Sequence, residues 1–349
     1  MTPPAHTSIS DSEPIGIAVV RDCARATFNL ESAALKSALR PVAAVRSDDQ
    51  AAIGEAIPGC PIASLEEVLS DDDVSLVLVT GSPDSALTIG QQVLASGRHL
   101  AVDTSNGRSR GTLSELAIQA ELKRRLVSVW RTRSVDTTWL QAAKVVHSGE
   151  VGPIRSVRFL MHDVAASMLP AVDSQPYEER RHGVLSTLGL DYVSDLLALV
   201  DCPVVSVFGT LNRSPLKFGS ADQTDDGSFK QDRGFVAEFK FSNGVSAVLD
   251  IDFSSAAPVS TGWIVQCERG GFANGQQSIT VEDGEVYHVP IEVETVDPID
   301  ELANTIRNWS DADVQATSRA ALAREIRVAT LRRLIMESHD SGQVIKCDV

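Results

Sequence analysis

Short apolar runs alternate with amphipathic stretches through the first 130 residues. Such runs are typical of strands buried in a parallel sheet. Strands are predicted at residues 15–20, 42–45, 74–80, 99–102 and 126–130. Helices are predicted at about 30–39, 85–96 and 113–125, and Ser64 followed by Glu67 predicts a capped helix start. Strands that alternate with helices in this way predict a doubly wound parallel sheet.

The pattern changes near residue 150, where polar and apolar positions alternate one by one. Residues 154–160 (IRSVRFL) show this period, which indicates a strand with one buried face. Similar strands are predicted at 204–211, 234–241, 245–253, 263–268 and 278–281, and the Ser-Asn-Gly at 242–244 is typical of a hairpin turn. Helices are predicted at 190–199 and 312–338.

The predicted fold class is therefore α/β with two domains. A flexible tail (1–14) precedes an N-terminal doubly wound, Rossmann-type parallel sheet (15–150). A C-terminal α+β domain follows (151–346), with a mostly antiparallel open sheet and a long final helix.

The charge balance excludes some classes of partner. The 349 residues include 31 basic and 47 acidic ones, a net charge of −16, whereas binders of nucleic acid or anionic membranes need a basic surface. The five cysteines form no CxxC pair, so neither a disulfide framework nor a zinc site is indicated. No secretory signal and no run of about 18 apolar residues is present. We expect a cytoplasmic protein that binds a small-molecule substrate, without nucleic acid, membrane or metal.

The turn after the first predicted strand, in AVVRDCARA, lacks the glycines of a dinucleotide-binding loop. Such glycines permit a tight turn and close approach of a pyrophosphate. Val19, Arg21 and Ala24 stand at the expected positions, and side chains at the first two would fill the pyrophosphate space. Arg21 is either a cationic contact for an anion or a solvated loop residue. Arg46, followed by Ser47, is either a partner for a 2′-phosphate or an exposed loop residue.

Five stretches, taken in order, resemble the glucose–fructose oxidoreductase / inositol dehydrogenase (Gfo/Idh/MocA) family. They are SLEEVLSDDDVSLVLVTGSP, VLASGRHLAVDTS, HSGEVGPIRSVRF, GLDYVSDLLALV and ESHDSGQV, and they extend the resemblance over about residues 15–346. The resemblance implies hydride transfer between a nicotinamide and a carbon-bound hydroxyl, often on a sugar or cyclitol. It also implies a homodimer or higher homo-oligomer that packs through the open face of the second-domain sheet.

The residues that this family uses for catalysis are replaced. The family's Glu-Lys-Pro after the fourth strand reads Asp-Thr-Ser here, so Thr104 holds the lysine position. Threonine carries no charge and cannot polarise an alkoxide as an ammonium does. The family's Asp-x-Gly-x-His segment reads TLGLD, which places Thr187 and Asp191 at the acid and histidine positions. The chain thus resembles a divergent member without the usual glycine loop and catalytic Lys and His.

Other side chains are candidates for proton transfer or binding. Asp191 is either a substitute acid/base or a helix N-terminal residue favoured by the dipole. His182, in YEERRHGVLS, belongs either to a cationic cluster for an acidic substrate or to an exposed loop. His162, at a predicted strand end, either faces the cleft or is structural. The resemblance also implies cofactor contacts at Thr80, Asp103 and Arg131.

Two functions stay open on this sequence. The first is a divergent oxidoreductase that uses NADP or NAD, with NADP favoured, on a small polyol, sugar or hydroxy/keto compound. Its rebuilt site would include Thr104, Thr187, Asp191 and His182. The second is a non-redox relative, a ligand-binding or regulatory protein or a repurposed enzyme, that uses no nicotinamide. The whole-chain segment order favours the first function, and the joint loss of glycines, lysine and histidine favours the second.

Overall fold

The chain forms two compact units. The computed structural model describes residues 14–21, 38–46, 61–80, 83–103, 109–130, 137–162, 183–212, 232–252, 260–273, 276–280, 285–290 and 298–349. The first unit draws on Met1–Ser134 and Val296–Ile326, and the second on Val135–Thr295 and Arg327–Val349. The described helices are α1 (Leu65–Ser70), α2 (Pro83–Ala95), α3 (Arg110–Lys123), α4 (Thr137–Ser148), α5 (Leu190–Val200), α6 (Pro298–Arg307) and α7 (Ala312–Ser341). Among these helices, none combines the length and the apolar content that crossing a bilayer requires.

The first unit contains a six-stranded parallel sheet in the order β3-β2-β1-β4-β5-β6. The strands are β1 (Ile15–Arg21), β2 (Leu39–Arg46), β3 (Ile62–Ala63), β4 (Leu76–Thr80), β5 (His99–Asp103) and β6 (Val127–Trp130). The predicted parallel sheet is confirmed, and only the very short β3 was not predicted. The strand order reverses between β1 and β4, so the carboxyl ends of these strands form the switch point at which such sheets bind ligands.

Local sequence signals account for several element ends. The Ser64 hydroxyl accepts a hydrogen bond from the Glu67 amide, and the Glu67 carboxylate accepts one from the Ser64 amide at 2.7 Å. These backbone and side-chain hydrogen bonds from Ser64 hold the pKa of the Glu67 carboxyl below its usual value. Gly97 follows α2 with a φ of 82°, a left-handed conformation that glycine adopts without strain. The predicted helix at 30–39 is wrong at its end, because Leu39 pairs with Ile15 as the first residue of β2.

Both faces of the parallel sheet are buried, as alternate residues of β1 show. Ala18 and Val20 pack with apolar residues of α1, α2 and α3. Ile15, Ile17 and Val19 point to the other face, where the described helical cover comes from α6. The sheet is therefore covered from both sides, as a parallel sheet requires.

The segment around α6 is a correction to the predicted domain organisation. We expected every residue after 150 to belong to the second domain, but Ile299, Leu302 and Ile306 pack on the first sheet. Trp309 donates its indole N–H to the Arg124 carbonyl at 2.9 Å and lies edge-on to His99 with 5.6 Å between ring centroids. The physical reason is that Ile15, Ile17 and Val19 present an apolar face of β1 that must be covered, and this segment packs against it.

The second unit contains a nine-stranded sheet in the order β14-β13-β12-β11-β7-β10-β9-β8-β15. The strands are β7 (Ile154–His162), β8 (Val204–Asn212), β9 (Gly234–Phe241), β10 (Ser246–Asp252), β11 (Ser260–Cys267), β12 (Gly270–Ala273), β13 (Gln276–Thr280), β14 (Val286–Pro290) and β15 (Ile345–Lys346). Only β7 and β10 pair in parallel among these strands. The predicted mostly antiparallel sheet is confirmed, whereas β12, β14 and β15 were not predicted.

An aromatic cluster fastens this sheet to α4 and α5. Trp139 of α4 stacks on Trp263 of β11 with 3.7 Å between ring centroids. Phe159 of β7 stacks on Tyr192 of α5 at 4.0 Å and lies 4.3 Å from Trp263. Stacked aromatic rings contribute about 0.5–1.5 kcal/mol per pair beyond the apolar area that they bury. The helix α4 therefore packs in the second unit, although we expected residues up to 150 in the first domain.

Replacing Leu302 with alanine is expected to loosen the first unit alone. Leu302 is 7% exposed, and removal of a packed leucine side chain costs about 2–5 kcal/mol. In hydrogen exchange, amides of β1 and β4 should exchange faster in Leu302→Ala, while amides of β9 keep their rate. Glu301→Ala, an exposed position on the same helix, is the control. Equal protection of β1 in the two variants would contradict the packing of α6 on this sheet.

Candidate functional site

The carboxyl ends of five neighbouring strands in the first unit form one row. The register pairs Arg46 with Arg21 and Arg21 with Thr80. It also pairs Asp103 with Trp130. Val79 of β4 pairs with Val102 of β5, so the residues that follow them, Thr80 and Asp103, lie side by side. The structure thus brings four of the predicted cofactor residues to the edge where open α/β sheets bind their ligands.

The extent of β1 corrects the placement of the missing glycine loop. Val19 lies inside β1 and is fully buried in the apolar cluster under the sheet. Its side chain therefore does not fill a pyrophosphate space, and this expectation was wrong. Because β1 continues to Arg21, a loop with dinucleotide spacing starts there, with Arg21, Cys23 and Ala26 at the glycine positions. Ala24, used for the first placement, lies outside the described residues.

Thr80 has a structural role at the switch point. Its side chain is fully buried, and its hydroxyl donates to the Val20 carbonyl at 3.3 Å. This hydrogen bond joins the last residues of β4 and β1, the two strands between which the order reverses. A direct contact of Thr80 with a cofactor stays a prediction.

Several predicted site residues lie outside the described part of the chain. They are Ser47, Thr104, Arg131 and His182. In the sequence, the first three directly follow β2, β5 and β6. The structure describes only the backbone of Arg21, Arg46, Asp103 and Thr187. The roles of all these residues stay predictions.

In the second unit, one turn of π-helix, Leu185–Gly189, leads directly into α5. The Gly189 amide donates to the Val184 carbonyl at 2.9 Å, which closes the turn, and such turns are frequent at functional sites. Thr187 lies within this turn. Asp191 lies in the first turn of α5 and is 4% exposed. The structure therefore places two of the predicted catalytic residues at one helix start.

Tight packing explains two glycines, one just before this turn and one at its last position. A Cβ on Gly183 would overlap the Asp232 carboxylate, and a Cβ on Gly189 would overlap the Phe235 ring. Asp232, just before β9, accepts a hydrogen bond from the Leu185 amide at 2.8 Å. The start of α5 is thus positioned by Phe235 of β9 and by Asp232, two residues before that strand. A sequence pattern does not reveal these contacts.

The final helix also contacts the turn. Arg332 of α7 donates its Nε–H to the hydroxyl of the buried Ser186 at 2.9 Å. Burial lowers the pKa of the Arg332 guanidinium, and the nearby Asp232 carboxylate opposes that shift. Sequence analysis missed Arg332, because no motif surrounds it and its partner lies 146 residues earlier.

His162 does not join this helix start. Its Nε2 lies 3.1 Å from Asp250 Oδ1 on the neighbouring strand β10. Met161, next to His162, and Ile251, next to Asp250, face the core. Because side chains alternate along a strand, His162 and Asp250 lie on the opposite face of the sheet. The geometry therefore supports a structural role for His162, the second of its two predicted alternatives. Among the described residues, no group of three or more His, Cys, Asp and Glu side chains is arranged to hold a metal ion.

Comparison with known proteins relates part of the second unit to a known family. Residues 139–273 match the family model described as the GFO/IDH/MocA C-terminal domain. The match spans the π-helical turn, α5 and strands β7 to β12. Over this stretch the chain is similar to the C-terminal domain of the Gfo/Idh/MocA family. The resemblance seen in the five sequence stretches is confirmed.

Solved structures share the fold over nearly the whole chain. An inositol dehydrogenase homolog from Azotobacter vinelandii, complexed with NADH and myo-inositol, is 14% identical, with a TM-score of 0.70 over 96% of this chain and 98% of its own. An oxidoreductase from Agrobacterium radiobacter, in complex with NAD+, L-tartaric acid and magnesium, is 13% identical, with a TM-score of 0.69 over 95% of this chain and 98% of its own. At these identities the likeness establishes the fold.

Curated relatives match over a shorter stretch. The uncharacterized oxidoreductase YhhX of Escherichia coli K12 is 32% identical over 93 residues, which is 27% of this chain and 27% of YhhX. The match thus spans about a quarter of the relative's length.

Gly189→Ala is expected to destabilise the second unit. The added methyl group must displace the Phe235 ring, and such overpacking costs about 1–3 kcal/mol. Gly111→Ala is the matched control, because a Cβ there meets only the Ser109 hydroxyl at 3.9 Å in an ordinary helix. Thermal unfolding followed by circular dichroism should show a lower midpoint for Gly189→Ala and an equal or higher one for Gly111→Ala. An unchanged midpoint in Gly189→Ala would show that the turn has room for a side chain.

Proposed function

We propose that this protein is an oxidoreductase that transfers a hydride between a nicotinamide cofactor and a carbon-bound hydroxyl. One observation carries the proposal: in a parallel sheet of order β3-β2-β1-β4-β5-β6, adjacent carboxyl ends bring Arg46, Arg21, Thr80 and Asp103 into one row. Sheets of this order bind dinucleotides across the point where the strand order reverses. The match of residues 139–273 to the Gfo/Idh/MocA C-terminal domain, and relatives named as oxidoreductases, support the same function.

The residues at this sheet edge fit a dinucleotide. The Val19 side chain is packed under the sheet and does not occupy this edge. Arg21, at the end of β1, suits the charge of a pyrophosphate. Arg46 and Ser47, at and just after the end of β2, stand where a 2′-phosphate is bound in such folds, which makes NADP(H) the preferred cofactor and NAD(H) the second choice.

The nicotinamide, when bound, supplies or accepts the hydride, and residues of this chain move the proton. Asp191, buried at the start of α5, takes the proton of the substrate hydroxyl, and Thr187 in the preceding turn orients that hydroxyl. His182 is the second candidate for this proton. Thr104 provides a hydroxyl in place of the family's ammonium, so a developing alkoxide is stabilised by hydrogen bonds alone. We therefore expect slower turnover than the family's lysine would support.

The substrate in this proposal is a small polyol, sugar or hydroxy/keto compound. The two structural neighbours hold myo-inositol and L-tartaric acid, compounds that both carry hydroxyl groups on adjacent carbons. A secondary hydroxyl of this kind is the group that hydride transfer to a nicotinamide oxidises to a ketone.

A second candidate function is a non-redox relative that uses no nicotinamide. The observation in its favour is that Arg21, Cys23 and Ala26 occupy the glycine positions of the first loop, while Thr104 occupies the lysine position. Such a protein would keep the family fold as a ligand-binding or regulatory domain, or as an enzyme with repurposed sites.

Nicotinamide fluorescence should rise when NADPH is added to the purified protein. Arg46→Ala is expected to weaken NADPH binding about tenfold to a hundredfold and to leave NADH binding unchanged, because a charge-assisted contact to the 2′-phosphate is lost. Arg40→Ala is the control: Arg40 lies at the other end of β2 and pairs with Asp73 at 3.1 Å. If neither cofactor binds at millimolar concentration, the non-redox function replaces this proposal.

We further propose that the protein is a homodimer held through the open face of the second-unit sheet. Leu160, Val236 and Ile264 lie on this face and are 36%, 37% and 44% exposed. The register places Arg158 and Glu238 on either side of one β10 residue in the same cross-strand row. Apolar residues beside a pair of opposite charges suit a two-fold interface, in which one patch meets a copy of itself.

Ile264→Glu is expected to convert the dimer to a monomer, because it buries a carboxylate within the proposed interface. Sedimentation velocity at micromolar concentration measures the change. Val344→Glu places the same charge at a residue that is 59% exposed just before β15, and this control should stay dimeric. A monomeric parent protein would refute the proposed interface.

A further inference from the structure

We propose that Arg332 forms an anion-binding subsite beside the Leu185–Gly189 turn and holds the carboxylate of a small acid. The identification of that acid as the substrate rests on the proposed function, whereas the binding of the anion does not. Nothing in the family comparison assigns a role to this residue, which lies on α7, outside the matched stretch 139–273.

The first observation is the set of donors that Arg332 leaves unused. A guanidinium has five N–H donors and no acceptor. Among the described residues, the Nε–H of Arg332 donates to Ser186 at 2.9 Å, and neither Nη nitrogen donates a hydrogen bond. The residue is half-buried, so its charge is partly shielded from water. Two parallel N–H groups on a fixed plane match the two oxygens of a carboxylate.

The second observation is that the nearest acid is already engaged. Asp232 contributes favourably to the charge of Arg332 from a distance, but its Oδ2 accepts the Leu185 amide at 2.8 Å. Within the described residues, no hydrogen bond joins Arg332 to Asp232. The Asp232 carboxylate therefore holds the turn, and the Nη side of Arg332 stays available for another anion.

Neighbouring arginines on α7 make a useful contrast. Arg333 donates to Glu337 at 2.9 Å in an exposed pair one turn apart. Arg327 donates its Nη2 to the carbonyls of Cys202 and Val349 at 2.9 and 3.3 Å. These two side chains use their Nη groups within the protein, whereas the Nη groups of Arg332 donate no hydrogen bond to the described residues. The arrangement indicates a position that is kept for a ligand.

The place of the subsite links it to the candidate catalytic residues. Ser186, which fixes the Arg332 guanidinium, directly precedes Thr187 in the π-helical turn. Asp191 follows in the first turn of α5. A carboxylate held by Arg332 would thus lie at the turn that carries the proposed proton-transfer residues. Because the whole chain carries a net charge of −16, which repels anions, such binding needs a local cation.

Isothermal titration with L-tartrate and with L-threitol tests the subsite. The two compounds share the hydroxylated carbon chain, and threitol has CH2OH groups where tartrate has carboxylates. We expect the full-length protein to bind tartrate at least tenfold more tightly than threitol, in the presence or absence of NADPH. Arg332→Gln should raise the Kd for tartrate about tenfold or more, because a charge-assisted bidentate contact is lost, and should leave the Kd for threitol unchanged.

Arg333→Gln is the matched control, since it removes a charge from the next residue of the same helix, and its tartrate affinity should equal that of the parent. Arg332→Lys keeps the charge without the planar fork and should bind tartrate with intermediate affinity. If Arg332→Gln fails to fold, as judged by circular dichroism, two measurements test the subsite in its place. They are the tartrate affinity of Arg332→Lys and the competition of phosphate against tartrate on the parent protein.

Equal affinities for tartrate and threitol in the parent, or equal tartrate affinity in the parent and the folded Arg332 variants, would overturn the proposal. Absence of tartrate binding at millimolar concentration would do the same. Nicotinamide titration runs separately: if tartrate binds through Arg332 but neither cofactor binds, the subsite stands and the proposed oxidoreductase function fails. If the cofactor binds and the Arg332 variants leave tartrate binding unchanged, the subsite fails and the proposed oxidoreductase function stands.

Discussion

A parallel sheet with two apolar faces cannot leave either face in water, and the path of this chain follows from that constraint. Each residue of β1 from Ile15 to Val20 is buried, with Val19 and Ala18 fully so on opposite faces. Burying one such aliphatic side chain contributes about 1.5–3 kcal/mol, so neither face can stay uncovered. The helices α1 to α3 pack on one face, and α6, which begins only at Pro298, packs on the other.

In the second unit, the sheet has one apolar face, and helices cover that face. Its aromatic cluster of Trp139, Trp263, Phe159 and Tyr192 joins α4 and α5 to the sheet. Once α5 is held there, its first turn is set by what surrounds it: the glycines at 183 and 189, the Asp232 carboxylate and the Arg332 guanidinium. The candidate chemistry of this unit therefore depends on packing between distant segments.

Each unit carries its own set of candidate residues. The first provides a row of strand ends at a switch point, where backbone position alone brings Arg46, Arg21 and Thr80 together. The second provides a buried acid, Asp191, at a helix start. The replacement of the family's lysine by Thr104 and of its histidine by Asp191 stays a prediction from the sequence resemblance.

The sequence by itself determined the features that depend on neighbours a few residues apart. The capping box of Ser64 and Glu67, the glycine of the β9–β10 hairpin, the parallel strands and the alternating strands all arise from local hydrogen bonds or periodicity, and the structure confirms them. The five stretches that resemble the family were also legible without coordinates.

Only the tertiary structure decided where β1 ends, where α6 packs and what holds the turn before α5. An apolar strand carries no local signal of its last residue, so the loop positions shifted by two residues. The partners Trp309 and Arg124 are 185 residues apart, and Arg332 and Ser186 are 146 residues apart. Contacts over such separations follow from which apolar face needs a cover, and that is settled only when the whole chain is folded.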